Sequence, residues 1–317
     1  MSGLEIRLEH VATIAPTGSG PLTRINGATN GGDGSGRLFV PDLRGEIFVI
    51  DGGAPSAFLD VTTSHPDFTA SQGLSSGLSW VTFDPDFASN GRFYTAHTED
   101  GTALTAHTPD FPHQLGHTIH GIVTEWTATV PGANTFAGTS RELLRVGFVS
   151  NFHGIQQIEF GPDGLLYIGI GDGDSTTFST GAQSLDYAQG KLLQIDPAGN
   201  NSANGEYGIP TGNPYAALAG LDEIYARGFR NPHRADRLHR AYLPASVTVP
   251  AYDRQEWRSR SRPRRSARRR TTRSSTRSRG ASRTRSRRSR SSFRRTMSES
   301  PPGARLADRA GSLRSRS

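Results

Sequence analysis

The chain has 317 residues, with 36 basic and 29 acidic side chains and a formal net charge of +7, a length that suits one large or two ordinary domains. It has no cysteine, which excludes disulfides and thiolate metal sites, and no apolar run approaches the ~18 residues of a membrane span. The average charge conceals two compositions: residues 1–236 carry 11 basic and 25 acidic side chains, whereas residues 237–317 carry 25 and 4. An acidic body precedes a very basic tail, and each needs its own reading. The start, MSGLEIRLEHVATIAPTGSG, lacks the charged-then-apolar pattern of a signal peptide. No compartment is assigned from it.

Along the body, short apolar runs alternate with Gly, Asp, Asn and Pro. GGDGSG (31–36) does not match a spaced-glycine phosphate loop and reads as a plain loop. RLFVPDLRGEIFVID (37–51) reads as a hairpin turning around Asp42–Gly45. LSWVTFDPDFASNGRFYTAHTE (78–99) repeats the pattern with Asn90-Gly91 as its turn signal. His107, His113, His117 and His120 follow in a segment without acidic partners at ligand spacing, so a zinc site is not assigned to them. GIVTEWTATV (121–130) is a strand; IQQIEFGPDGLLYIGIGDGD (155–174) is a third hairpin, turning at Pro162-Asp163-Gly164; and GKLLQIDP (190–197) is a further strand. Alternation fits these runs better than a 3.6-residue period, and no amphipathic helix of three turns is expected.

Phe83-Asp84-Pro85-Asp86 and Phe160-Gly161-Pro162-Asp163 occupy equivalent turns. Recurring groups of antiparallel strands predict an all-β β-propeller, with a β-sandwich as the alternative. Three places carry candidate chemistry. His153 stands just before a strand, where a loop opens onto a propeller face and a neutral imidazole can accept a proton; the bland reading is an ordinary loop histidine. Arg227, Arg230 and Arg234 surround Asn231-Pro232-His233, where a stiff turn can aim a guanidinium at a carboxylate or phosphate; the alternative is a solvated loop with structural ion pairs. Asp172 and Asp174 in GDGDSTTF do not fit a calcium loop and read as turn residues bonding to their own backbone.

Taken together, GDGSGRLFVPDLRGEIFVID, FDPDFASNGRFYTAHTE, HGIQQIEFGPDGLLYIGIGDGD, GKLLQIDPAGNN and EIYARGFRNPHR resemble, in order, the words of the soluble sugar dehydrogenases that use pyrroloquinoline quinone (PQQ), the glucose/sorbosone dehydrogenase family. The resemblance implies a six-bladed propeller that carries PQQ and calcium and oxidises the anomeric hydroxyl of an aldose sugar, passing hydride to the quinone and electrons to an acceptor. It places His153 as the base and Arg230 and Asn231 as cofactor contacts. It implies no calcium ligand among the residues present, and a periplasmic or secreted setting. Phe152 departs from the pattern, standing where glucose-oxidising members have a sugar-binding Asp. Ser76, with Gln72 nearby, stands where another polar residue is expected.

The resemblance stops after Arg234. The later blades, with calcium ligands and further cofactor contacts, do not follow. The expectation is therefore an incomplete six-bladed β-propeller over 1–236, inactive or nearly so by itself, followed by a disordered Arg/Ser-rich tail over 237–317. The tail reads best as out-of-frame translation: Gly and Asp codons of a GC-rich gene, read one base out, become arginine codons. The alternative is an arm that binds nucleic acid or other polyanions through charge alone. Within 256–317 the aromatic residues are Trp257 and Phe293, few for base stacking. A non-enzymatic propeller scaffold is the third reading.

Overall fold

Alternation of apolar and polar residues in the body produces antiparallel sheets made from consecutive strands. The computed structural model describes residues 8–19, 24–70, 76–103, 105, 107–111, 113, 117–150, 152–173 and 181–233. The tail, Arg234, Asp174 and Gln72 lie outside them.

The first sheet contains β1 (Thr29–Asn30), β2 (Leu38–Pro41), β3 (Glu46–Asp51) and β4 (Ala54–Asp60). The second contains β5 (Trp80–Phe83), β6 (Arg92–Asp100), β7 (Ile119–Ala128) and β8 (Gly138–Phe148). The third contains β9 (Ile155–Phe160), β10 (Leu166–Ile170), β11 (Lys191–Ile195) and β12 (Ile224–Arg227). Each sheet is a four-stranded antiparallel meander in chain order, and β5 touches β1 and β2 on one side and β9 on the other. Repeated four-stranded units packed face to face are blades of a β-propeller, as expected.

The one α-helix among the described residues is a single turn, α1 (Phe87–Asn90), inside the second expected hairpin. Gly91 closes it at φ 70°, the left-handed conformation in which glycine carries no Cβ penalty. No described helix is long and apolar enough to cross a membrane.

The middle sheet is apolar on both faces because it is sandwiched. Val81, Phe83, Phe93 and Trp126 pack against Phe39, Ile47, Val49 and Phe58 of the first sheet. Trp80, Tyr94, Val123 and Leu144 pack against Ile158, Ile168, Leu193 and Ile224 of the third. Consecutive residues such as Phe93 and Tyr94 therefore serve two different cores, the two-residue period of a strand at work. A bulge in the β7–β8 ladder, where Val123 faces Leu144 and Thr124 faces Glu142, turns both Leu143 and Leu144 into one core.

Four strands escape the sequence reading. Strand β1 is two residues long; β4 (APSAFLD) is mostly exposed and carries a Pro. Strand β8 (GTSRELLRVGF) is rich in good helix formers, and packing against the third sheet overrides their propensity. Strand β12 lies within EIYARGFRNPHR, which reads as a turn because of its Pro.

Candidate active site

His153 lies in the loop between β8 and β9, at φ 54°. That left-handed backbone is costly for a residue with a Cβ and persists only where surrounding contacts impose it. Here they do. Gly171 N–H bonds to Gly154 O at 2.9 Å, Gly173 N–H to His153 O at 3.2 Å, and Ser150 Oγ donates to Gly173 O at 2.8 Å. The two loops are zipped so closely that a Cβ on residue 171 would stand 2.3 Å from His153 O, which requires glycine there.

The zip brings His153 Nδ1 to 2.6 Å from Asp172 Oδ1, with His153 7 % exposed. An ionised carboxylate can only accept, so Nδ1 carries the shared proton and Nε2 keeps its lone pair. A carboxylate that fixes the imidazole tautomer and steadies its charged form is the support a general base needs. Asp172, read from the sequence as a turn residue, also sends its carboxylate to His153, 19 residues away.

The third loop follows β12. Asp172 N–H bonds to Arg230 O at 2.8 Å, Gly190 N–H to Gly171 O at 2.9 Å, and Phe229 N–H to Gly190 O at 3.0 Å. The backbone that carries Arg230 and Asn231 is thus tied to the backbone that carries the His153–Asp172 pair. Arg230 is exposed. Asn231 Nδ2 lies 2.8 Å from His233 Nε2, while Asn231 Oδ1 is buried and has no hydrogen-bond partner among the described residues. Phe152, beside the base, is 39 % exposed.

Lys191, the single lysine, stands at the start of β11 beneath these loops and is fully buried. Its ammonium donates to Gly181 O at 2.9 Å and Gln189 O at 2.8 Å. Burial, with the like charge of Arg227 adding to it, brings its pKa down to about 7. The sequence signals neither its burial nor its contacts.

Other candidates fall elsewhere. Arg227 Nη1 donates to Gln183 O at 2.6 Å and the guanidinium lies over the Tyr215 ring, a structural placement. Ser76 is buried, 3.4 Å from Thr69 O. His107 is exposed near Glu142, His113 packs on Tyr187, and His120 contacts Arg145, so these three histidines are held by three different neighbours.

An exposed guanidinium beside a held imidazole fits the carboxylates of a planar cofactor such as PQQ, and the Asn231 amide oxygen, without a partner among the described residues, can accept from an N–H of such a ligand. No group of three carboxylates stands close enough to mark a calcium shell among the described residues. Among them, the set of His, Asp and Glu whose ligating atoms lie within 4.8 Å of one another is His65, His97 and Glu99, richer in imidazole than the oxygen shell calcium takes.

Fold and site together define a β-propeller protein with a histidine–aspartate pair and a basic turn on one set of loops. The model of the glucose/sorbosone dehydrogenase family matches residues 31–241. The chain belongs to that family. Among curated proteins it is similar to the HIPL1 protein of Arabidopsis thaliana, 30 % identical over 247 residues, which cover 64 % of this chain and 34 % of that protein. It is also similar to the Hedgehog-interacting protein of Homo sapiens, 28 % identical over 214 residues, covering 66 % of this chain and 29 % of that protein. The chain therefore spans about a third of the length of these relatives. Among solved structures it is similar to the PQQ-bound form of the aldose sugar dehydrogenase from Streptomyces coelicolor, with 22 % identity, a TM-score of 0.47 and coverage of 71 % of this chain and 54 % of that one. The soluble aldose sugar dehydrogenase from Escherichia coli, in its apo-form, gives 24 % identity, a TM-score of 0.47, and coverage of 62 % and 49 %.

Proposed function

We propose that the chain carries the proton-accepting part of a PQQ-dependent sugar dehydrogenase site. The observation that carries this reading is the 2.6 Å His153–Asp172 contact on the loop adjoining Arg230. PQQ, when bound, supplies a two-electron acceptor. His153 Nε2 takes the hydroxyl proton of the aldose, Asp172 holds the resulting imidazolium, and Arg230 and Asn231 orient the cofactor through charge and hydrogen bonds. Phe152 offers an apolar ring to the sugar in place of a carboxylate. With two nameable cofactor contacts, Arg230 and Asn231, binding is weak and turnover by this chain is low or absent.

The test is a titration of the purified chain with PQQ, followed by its absorbance. Binding that weakens at least tenfold in Arg230→Ala supports the reading; binding indifferent to Arg230 and Asn231 overturns it. Any aldose-dependent dye reduction must vanish in His153→Ala.

A second reading rests on the names of the curated relatives, which include Hedgehog-interacting proteins. In it the blades serve as a protein-binding scaffold, and His153→Ala leaves function unchanged.

A further inference from the structure

We propose that His65, His97 and Glu99 form a binding site for one divalent transition-metal ion of the zinc type, at the junction of the first and second blades. The site is independent of the sugar-oxidising reading.

The three residues come together because the chain between β4 and β5 is laid along the end of β6. Phe68 bridges to Glu99, Thr69 N–H bonds to Thr98 O at 2.9 Å, and Asp100 N–H to Asp67 O at 2.8 Å. This places His65 beside His97 and Glu99, which share one face of β6 as residues i and i+2. His65 Nδ1 lies 2.8 Å and His97 Nε2 3.4 Å from the same oxygen, Glu99 Oε1, and the three ligating atoms all fall within 4.8 Å of one another. Neighbouring donors around a tetrahedral ion with bonds near 2.1 Å stand about 3.4 Å apart. The trio needs little movement to reach that spacing.

Hydrogen bonding alone accounts for His65 but not for His97. The His97 side chain is fully buried, and its Nε2, the nitrogen that faces the site, is served by one long 3.4 Å contact to Glu99 Oε1. A buried ring nitrogen so weakly served leaves room for an ion in place of that contact. Neutral imidazole and carboxylate are the ligating forms.

A supporting shell is present. Arg145 Nη2 holds the other oxygen, Glu99 Oε2, at 2.8 Å, and is itself fixed by Glu142 Oε2 at 2.6 Å; Arg145 Nη1 also lies 3.1 Å from His120 Nδ1. This leaves Oε1 aimed at the imidazoles, as outer partners of metal ligands do. Two nitrogens and one carboxylate oxygen, with no thiolate, select zinc or a neighbouring divalent ion over calcium. His65 is the half-buried member of the trio, His97 and Glu99 being buried.

The experiment uses the full chain stripped with a chelator and titrated calorimetrically with Zn2+. One ion per chain is expected, with affinity at least tenfold weaker in His65→Asn and in Glu99→Gln and unchanged in His107→Ala. Circular dichroism verifies that each variant is folded. His65 is the least buried ligand, so His65→Asn keeps the test decisive if Glu99→Gln unfolds. Co2+ should give the visible bands of a low-symmetry site in the wild type and lose them in His65→Asn. Absence of zinc uptake, or uptake that both variants leave unchanged, overturns the proposal.

Discussion

Asp172 Oδ1 stands 2.6 Å from His153 Nδ1 while the Asp172 backbone N–H bonds to the carbonyl of Arg230 at 2.8 Å. One residue thus sets the tautomer of the candidate base and the position of the candidate cofactor contact. In Asp172→Asn the amide can donate to Nδ1, which moves the ring proton to Nε2 and removes the lone pair that accepts from substrate. The expected outcome is a switched tautomer in the imidazole nitrogen NMR shifts of His153. Any PQQ-dependent sugar oxidation should fall by roughly 10²–10⁴, the usual contribution of a positioned base.

Gly171→Ala should separate the two loops. The added Cβ would meet His153 O at 2.3 Å, and backbone cannot yield as a flexible side chain does. A loss of roughly 2–4 kcal/mol is expected, as for other strained backbone sites, together with loss of the His153–Asp172 contact. Denaturant unfolding and the same NMR shifts measure both.

Lys191 gives the chain a pH signature. Its folded pKa of about 7 lies below the usual lysine value, because burial and Arg227 disfavour the charged form. Between about pH 7 and 10 the unfolded chain therefore binds more protons, and stability contributed by this group rises with pH across that window. From pH 7 to 9 the gain is on the order of 2 kcal/mol. Lys191→Met should flatten that rise in urea-unfolding free energies measured at several pH values, even if it shifts the whole curve.

Trp126 and Phe93 stack with centroids 6.1 Å apart at the junction of the first two blades, both essentially fully buried. Phe93→Ala leaves a cavity against Phe58, Phe83 and Trp126 and should cost about 3–5 kcal/mol. A substitution at exposed Val130 should cost under about 0.5 kcal/mol by the same unfolding measurement.

The basic tail, 237–317, has an outcome of its own. If charge alone governs its contacts, binding of the full chain to duplex DNA fades as salt approaches ~0.2 M. Fluorescence anisotropy at rising salt reads this directly. Translating the gene in all three frames past codon 225 should show Gly-, Asp- and Tyr-rich strands continuing in another frame.

Much of this protein is legible in local residue order. Turn pairs such as Asn90-Gly91 and two-residue alternation mark the central hairpins of all three blades, because strand period and turn chemistry are properties of neighbours along the chain. His153, Arg230 and Asn231 stand in recognisable words, and that alone makes them candidates. Strand β8 is not, since Glu142, Leu143, Leu144 and Arg145 favour a helix and only the third sheet makes them a strand.

By itself, then, the sequence determined an all-β chain of repeated hairpins, an acidic body with a basic tail, and the residues on which to centre a site. Tertiary structure alone decided which side chains meet. Asp172 reaches His153 across a loop zip, and Arg145 reaches Glu99 across 46 residues and the β6–β7–β8 ladder. Such pairs depend on strand register and on how one sheet lies over the next, and a shift of one residue turns every side chain to the opposite face.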